Sequence, residues 1–192
     1  MISILPIGDV YQDDLGELAA GLQRFLKADV RVLSPEPLPT DQVSRPVREL
    51  EMGRSGGAGE LQYHVNPFLA LARETARSDP DSNRKILAVT DVDLYTEGLN
   101  FIFGQAEISG SAAVVATPRL KYHKYWSFLR KSLEPRKVYT DRLLKEAVHE
   151  LGHTFGLRHC RDRKCVMTFS NSLEDTDFKG TEYCGNCIKK LI

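Results

Sequence analysis

The sequence predicts an α+β protein. A mixed β-sheet with covering helices fills roughly the first 155 residues, and a small, loop-rich C-terminal part follows. Three observations carry this reading. Short runs rich in Ile, Leu and Val alternate with stretches of helical period; a helix carrying His149, Glu150 and His153 comes late in the chain; and all four cysteines follow that helix. The length of 192 residues suits one domain, residues 1–192, divided into an N-terminal subdomain (1–155) and a C-terminal one (156–192).

The opening run Ile2 to Ile7 reads as an interior strand of a mixed or parallel sheet. Leu15, Leu18, Ala19, Leu22, Phe25 and Leu26 then recur at helical steps, with Asp13 or Asp14 as the cap. ADVRVLS gives a second strand, which the proline-rich SPEPLPT ends. Residues 40–60 turn polar around the glycine-rich segment 53–60 and are expected to form a surface loop. It is not a phosphate loop, because no Gly-Lys-Ser/Thr ending and no leading strand accompany the glycines.

Residues 61–78 resume a helical pattern, with Phe68, Leu69, Ala72 and Ala76 on one face and His64 as a surface or capping side chain. Ile86 to Thr90 is the clearest strand, and Asp91 and Asp93 at its end read as turn caps in preference to cation ligands. Two short strands follow around Gly104 and Gly110. Ser111 to Thr117, small and β-branched with Pro118 beyond, is expected to border the sheet. Residues 121–133 read as a helix burying Trp126, Phe128 and Leu129, with His123 facing solvent, in preference to a base-stacking platform. Thr140 or Asp141 is expected to cap the late helix, whose Leu144, Val148, Leu151 and Phe155 form a buried face opposite Lys145, His149 and His153.

Composition excludes several classes of function. Apolar residues at 42% and charged residues at 27% describe a soluble globular chain, and no apolar run approaches a membrane span. Twenty-six basic residues balance 26 acidic ones, which disfavours a nucleic-acid partner. The opening residues lack the basic and small-residue features of a secretory signal, so a cytoplasmic, reducing setting and a monomer are expected.

The chemistry concentrates between His149 and Met167. On a helix, His149 and His153 lie one above the other, as two ligands of one metal require, and Glu150 stands beside them within reach of a metal-bound water. Gly156 allows the chain to stop and double back, which returns His159 to the same metal. Average residue frequencies give HExxH in roughly one chain of this size in a few hundred, and the added Gly and His cut that by about another thousandfold. Cys160, Cys165, Cys184 and Cys187, with a CxxC pair, read as thiolate ligands of a structural zinc; disulfides and unrelated buried thiols are the alternatives.

The pattern HExxHxxGxxHC, then Cys165, Met167 and a later CxxC, resembles the archaemetzincins, metzincin-type zinc peptidases. CVMTFSNSL, LNFIFG, LQYHVNP and DVDLY extend the likeness, and the gap between Met167 and the CxxC is one residue short of the family spacing. The resemblance implies a zincin fold with a twisted mixed sheet, an active-site helix and a zinc-stapled C-terminal subdomain. It implies two Zn2+ per chain, a catalytic one on His149, His153 and His159 and a structural one on the four cysteines, with Glu150 as general base and Met167 as the apolar floor. The activity implied is hydrolysis of peptide bonds in a peptide or protein substrate; the alternative is a catalytically idle zinc-binding protein on a peptidase fold. A substrate would pair with the Ser111, Ala113, Val115, Thr117 strand, and Phe169 and Asn171 would line the pocket beyond the scissile bond. Some metzincins carry a tyrosine where Phe169 stands, which leaves Tyr139 and Tyr183 as possible oxyanion donors.

Overall fold

The computed structural model describes residues 1–39, 44–46, 61–121 and 134–191. Its elements are β1 (Ile2–Ile7), α1 (Gln12–Leu26), β2 (Val30–Val32), β3 (Ser44–Pro46), β4 (Leu61–His64), α2 (Asn66–Ser78), β5 (Lys85–Thr90), β6 (Asp93–Tyr95), β7 (Gly104–Ala106) and β8 (Ala112–Ala116). A 3-10 turn (Pro118–Lys121), α3 (Pro135–Thr154), α4 (Leu173–Phe178) and α5 (Gly185–Ile188) follow.

Five strands form a mixed sheet in the order β2-β1-β5-β8-β7, parallel throughout except for the antiparallel β7. The inner strands are buried on both faces, which explains their unbroken apolar runs. Alternate residues feed two cores. Ile2, Ile4, Leu87, Val89, Ala113 and Val115 pack with α1 and α3 on one side, and Leu5, Ile7, Ile86, Ala88, Ala112 and Val114 pack with Phe68, Leu69, Ala72 and Ala76 of α2 on the other. The α2 face is the one the sequence predicts.

Several expectations are corrected. Ser111 to Thr117 does not border the sheet: β8 lies between β5 and β7, and Ala112 to Ala116 are all buried. Its residues are small because helices pack on both sides of it, and Pro118, whose missing N–H suggested a border, falls in the turn after the strand. The borders are β2 and, beside β8, β7. Residues 44–46 and 61–64, read as loop and helix start, are strands of a second sheet ordered β3-β4-β6. The glycine-rich segment 53–60 and, beyond Lys121, the helix expected at 121–133 with His123 and Trp126 lie outside the described residues.

The caps differ too. Tyr11 precedes α1, and Asp14 is buried in its first turn, accepting a hydrogen bond from the Tyr139 hydroxyl at 2.8 Å. α3 begins at Pro135, so Thr140 and Asp141 are interior. His64 is buried; its Nδ1 accepts from the Asn66 amide at 3.2 Å. Asp91 accepts from the Asp9 amide, and Asp93 forms a buried two-pronged pair with Arg119 at 2.8 Å on each oxygen. Among the described residues no helix is long and apolar enough to cross a membrane.

Candidate active site and metal centres

α3 positions the site because it is buried almost all round. Val148 and Leu151 face the core as expected and Leu144 is half-buried, but Phe155 is exposed, and His149, Glu150 and His153 on the opposite face are buried too. The reason is a cover of loop. After α3 the chain turns at Gly156, whose φ of 91° an L side chain rarely adopts. It then passes beneath the helix, where Met167 is fully buried and its sulfur occupies the space a Cβ at Gly152 would need.

That passage orients the imidazoles. His149 Nδ1 lies 2.8 Å from the Val166 carbonyl and His153 Nδ1 lies 2.7 Å from the Leu157 carbonyl. A carbonyl only accepts, so each Nδ1 carries the proton and each Nε2 presents a lone pair. The two Nε2 atoms face one another at 3.1 Å. His159 completes a group whose ligand atoms lie within 4.8 Å of one another. Lone pairs converging this closely repel unless a cation lies between them, and tetrahedral zinc on nitrogen requires ligand separations of about 3.3 Å. The residues therefore fit the metal. Burial holds the His149 imidazole well below its usual pKa, with the Lys179 ammonium adding to the effect, and burial lowers His153 as well.

Glu150 is buried beside them with its side chain against Gly104 of β7. Burial, then the neighbouring Glu146 carboxylate, pushes its pKa well above the ordinary range, and Lys179 opposes this in part. These groups open into a cleft of about 470 Å³, lined also by Gly98 to Ala106 and by Phe169, Ser170 and Asn171. Phe169 is 43% exposed, its ring centroid 4.9 Å from that of His159. Ser111, Ala113, Val115 and Thr117 do not line the cleft, whereas Gly104, Gln105 and Ala106 of the border strand do. Neither tyrosine reaches it: the Tyr139 hydroxyl is bound to Asp14, and that of Tyr183 donates to the Val148 carbonyl at 2.9 Å.

The four cysteines gather at a second point. Cys160 and Cys184 sulfurs lie 3.7 Å apart, as do those of Cys165 and Cys187, too far for disulfides. All four lie within 4.8 Å of one another, and a tetrahedral shell with zinc–sulfur bonds of about 2.3 Å has edges of about 3.8 Å. Cys184 has its pKa lowered to about 7, chiefly by the Cys187 amide, while burial raises that of Cys187.

Sequence reading missed Glu146, which is 3% exposed and lines the same cleft. Its position three residues before His149 and four before Glu150 places it on the ligand face by helical period alone.

A mixed sheet, a long helix presenting two histidines and a glutamate, and a turn returning a third histidine over a buried methionine define a metallopeptidase of the metzincin kind. Comparison with known proteins agrees. The family model of peptidase family M54 matches residues 59–192. The archaemetzincin of Pyrococcus furiosus is 39% identical over 194 residues, covering 100% of this chain and 92% of that protein. That of Natronomonas pharaonis is 31% identical, covering 100% of this chain and 99% of that protein. The crystal structure of the Archaeoglobus fulgidus archaemetzincin, complexed with malonate, aligns with a TM-score of 0.71 at 30% identity, covering 99% of each chain. The chain belongs to peptidase family M54, the archaemetzincins, and is a zinc metalloprotease.

Proposed function

We propose that the protein hydrolyses peptide bonds with a catalytic zinc on His149, His153 and His159 and Glu150 as general base, and that a second, structural zinc on Cys160, Cys165, Cys184 and Cys187 staples residues 156–192 to the rest of the chain. The single observation that carries this is the pair of Nε2 atoms facing one another at 3.1 Å, each with its Nδ1 proton committed to a carbonyl. Zinc held there supplies a Lewis acid that acidifies water and polarises a carbonyl. The chain's own groups do the rest. The Val166 and Leu157 carbonyls fix the ring orientations. Glu150 takes the proton of the attacking water and passes it to the leaving amine.

An extended substrate pairs with the border strand β7, which lines the cleft in place of the buried β8. Phe169 and Asn171 form the wall that receives the side chain beyond the scissile bond, and Met167 is the apolar floor. Cysteine sulfurs at metal-ligand spacing, too far apart for disulfides, suit a reducing, cytoplasmic setting, and we read the working unit as a monomer. Metal analysis tests the scheme together with a peptide-library screen. Two zinc ions per chain and cleavage by the parent are expected, with one zinc and no cleavage for His153→Ala. A single zinc in the parent, or two in the variant, contradicts it.

A further inference from the structure

On the ligand face of α3, one turn before Glu150, Glu146 stands buried with its two oxygens in different surroundings. Oε1 accepts from the Thr176 hydroxyl at 2.8 Å and lies 3.0 Å from the fully buried Lys179 ammonium. Among the described residues Oε2 accepts no hydrogen bond, and Glu146 lines the same cleft as Ser170 and Asn171. The Ser170 hydroxyl also has no hydrogen-bond partner. A carboxylate this deep is costly unless balanced, and Lys179 balances it from behind without lining the cleft. Among the described residues that line the cleft none is lysine or arginine, so no such side chain there opposes a cationic group of the substrate.

Spacing connects this group to the reaction. One helical turn advances about 5.4 Å, and an extended peptide about 3.4 Å per residue, so a side chain next to the scissile bond reaches from Glu150 to Glu146. We propose that Glu146 is a specificity-determining residue: its free oxygen, with Ser170, selects a substrate with lysine or arginine immediately beyond the scissile bond. Ammonium and guanidinium groups supply several donors with charge, which suits a lone carboxylate oxygen and a hydroxyl. An acidic side chain would meet Glu146 and Glu150 together. This inference rests on the peptidase reading above.

Binding tests it without turnover. Peptide hydroxamates identical except for arginine, norleucine or glutamate next to the hydroxamate are titrated calorimetrically against the zinc-loaded protein. The arginine compound is expected to bind the parent at least about tenfold more tightly than the norleucine one, the worth of one charged hydrogen bond, with glutamate weakest. The double variant Glu146→Gln/Lys179→Met, which removes both buried charges together, is expected to reduce that ratio to within about threefold. Equal or reversed affinities in the parent overturn the inference and leave the peptidase reading standing, and need no variant to fold. An arginine preference that survives the double variant overturns Glu146 as the selector. Failure of the zinc-loaded parent to bind any of the three overturns the peptidase reading as well.

Discussion

Val166 holds His149 through its carbonyl, which lies 2.8 Å from Nδ1, while the Val166 amide is bound to the Glu182 carbonyl at 2.9 Å. Val166 follows Cys165 directly, and Glu182 lies two residues before Cys184, so the cysteine cluster and the histidine cluster share one short stretch of backbone.

Cys184→Ser therefore acts at both centres. The four-cysteine cluster proposed to hold the second zinc loses a sulfur, and residues 156–192 are expected to become more open to proteolysis. Loosening of Val166 is expected to weaken zinc binding at the histidines by about 10–100-fold, the usual cost of removing a ligand's orienting partner. Titration with a chromophoric chelator measures this. Unchanged affinity at the histidines would show that Val166 is held without the cysteines.

Gly152→Ala tests the floor of the site. A Cβ there would lie 2.5 Å from the Met167 sulfur, so the methionine must move. Forced repacking of this kind costs about 1–3 kcal/mol. Thermal unfolding should show a lower midpoint, and an unchanged midpoint would mean that Met167 yields freely.

The parts legible in the sequence were those that local period or ligand spacing determines. Phe68, Leu69, Ala72 and Ala76 declared one face of α2, Ile2 to Ile7 declared an inner strand, and the histidines and cysteines declared two clusters by their spacing. Position within the sheet was not legible. Ala112 to Ala116 are as small as border residues can be, and only the helices on either side explain why they lie inside. The burial of α3 was hidden for the same reason: the loop that covers His149 and His153 comes from residues after the helix, beyond the reach of a helical pattern.

Asp177→Asn addresses the joint between α3 and α4. Arg142 is fully buried and meets both Asp177 oxygens at 2.7 Å, with the Leu120 carbonyl at 3.1 Å. Removing the partner of so deeply buried a charge costs about 3–5 kcal/mol. The urea midpoint should fall accordingly, and replacing both members with apolar residues of similar volume should recover much of the loss.

Tyr183→Phe separates structure from chemistry. Its hydroxyl is bound to the Val148 carbonyl at 2.9 Å and does not line the cleft. Loss of about 0.5–1.5 kcal/mol of stability is expected, with turnover unchanged. A fall in kcat at constant stability would reinstate this hydroxyl as an oxyanion donor.

Glu150→Gln, assayed for zinc content and peptide cleavage alongside the parent, goes to the centre of the account. The amide preserves shape and leaves the imidazoles untouched, so both variant and parent should carry two zinc ions while cleavage falls by about 100-fold or more. Equal cleavage by the two proteins at equal zinc content would contradict the assignment of Glu150 as the base.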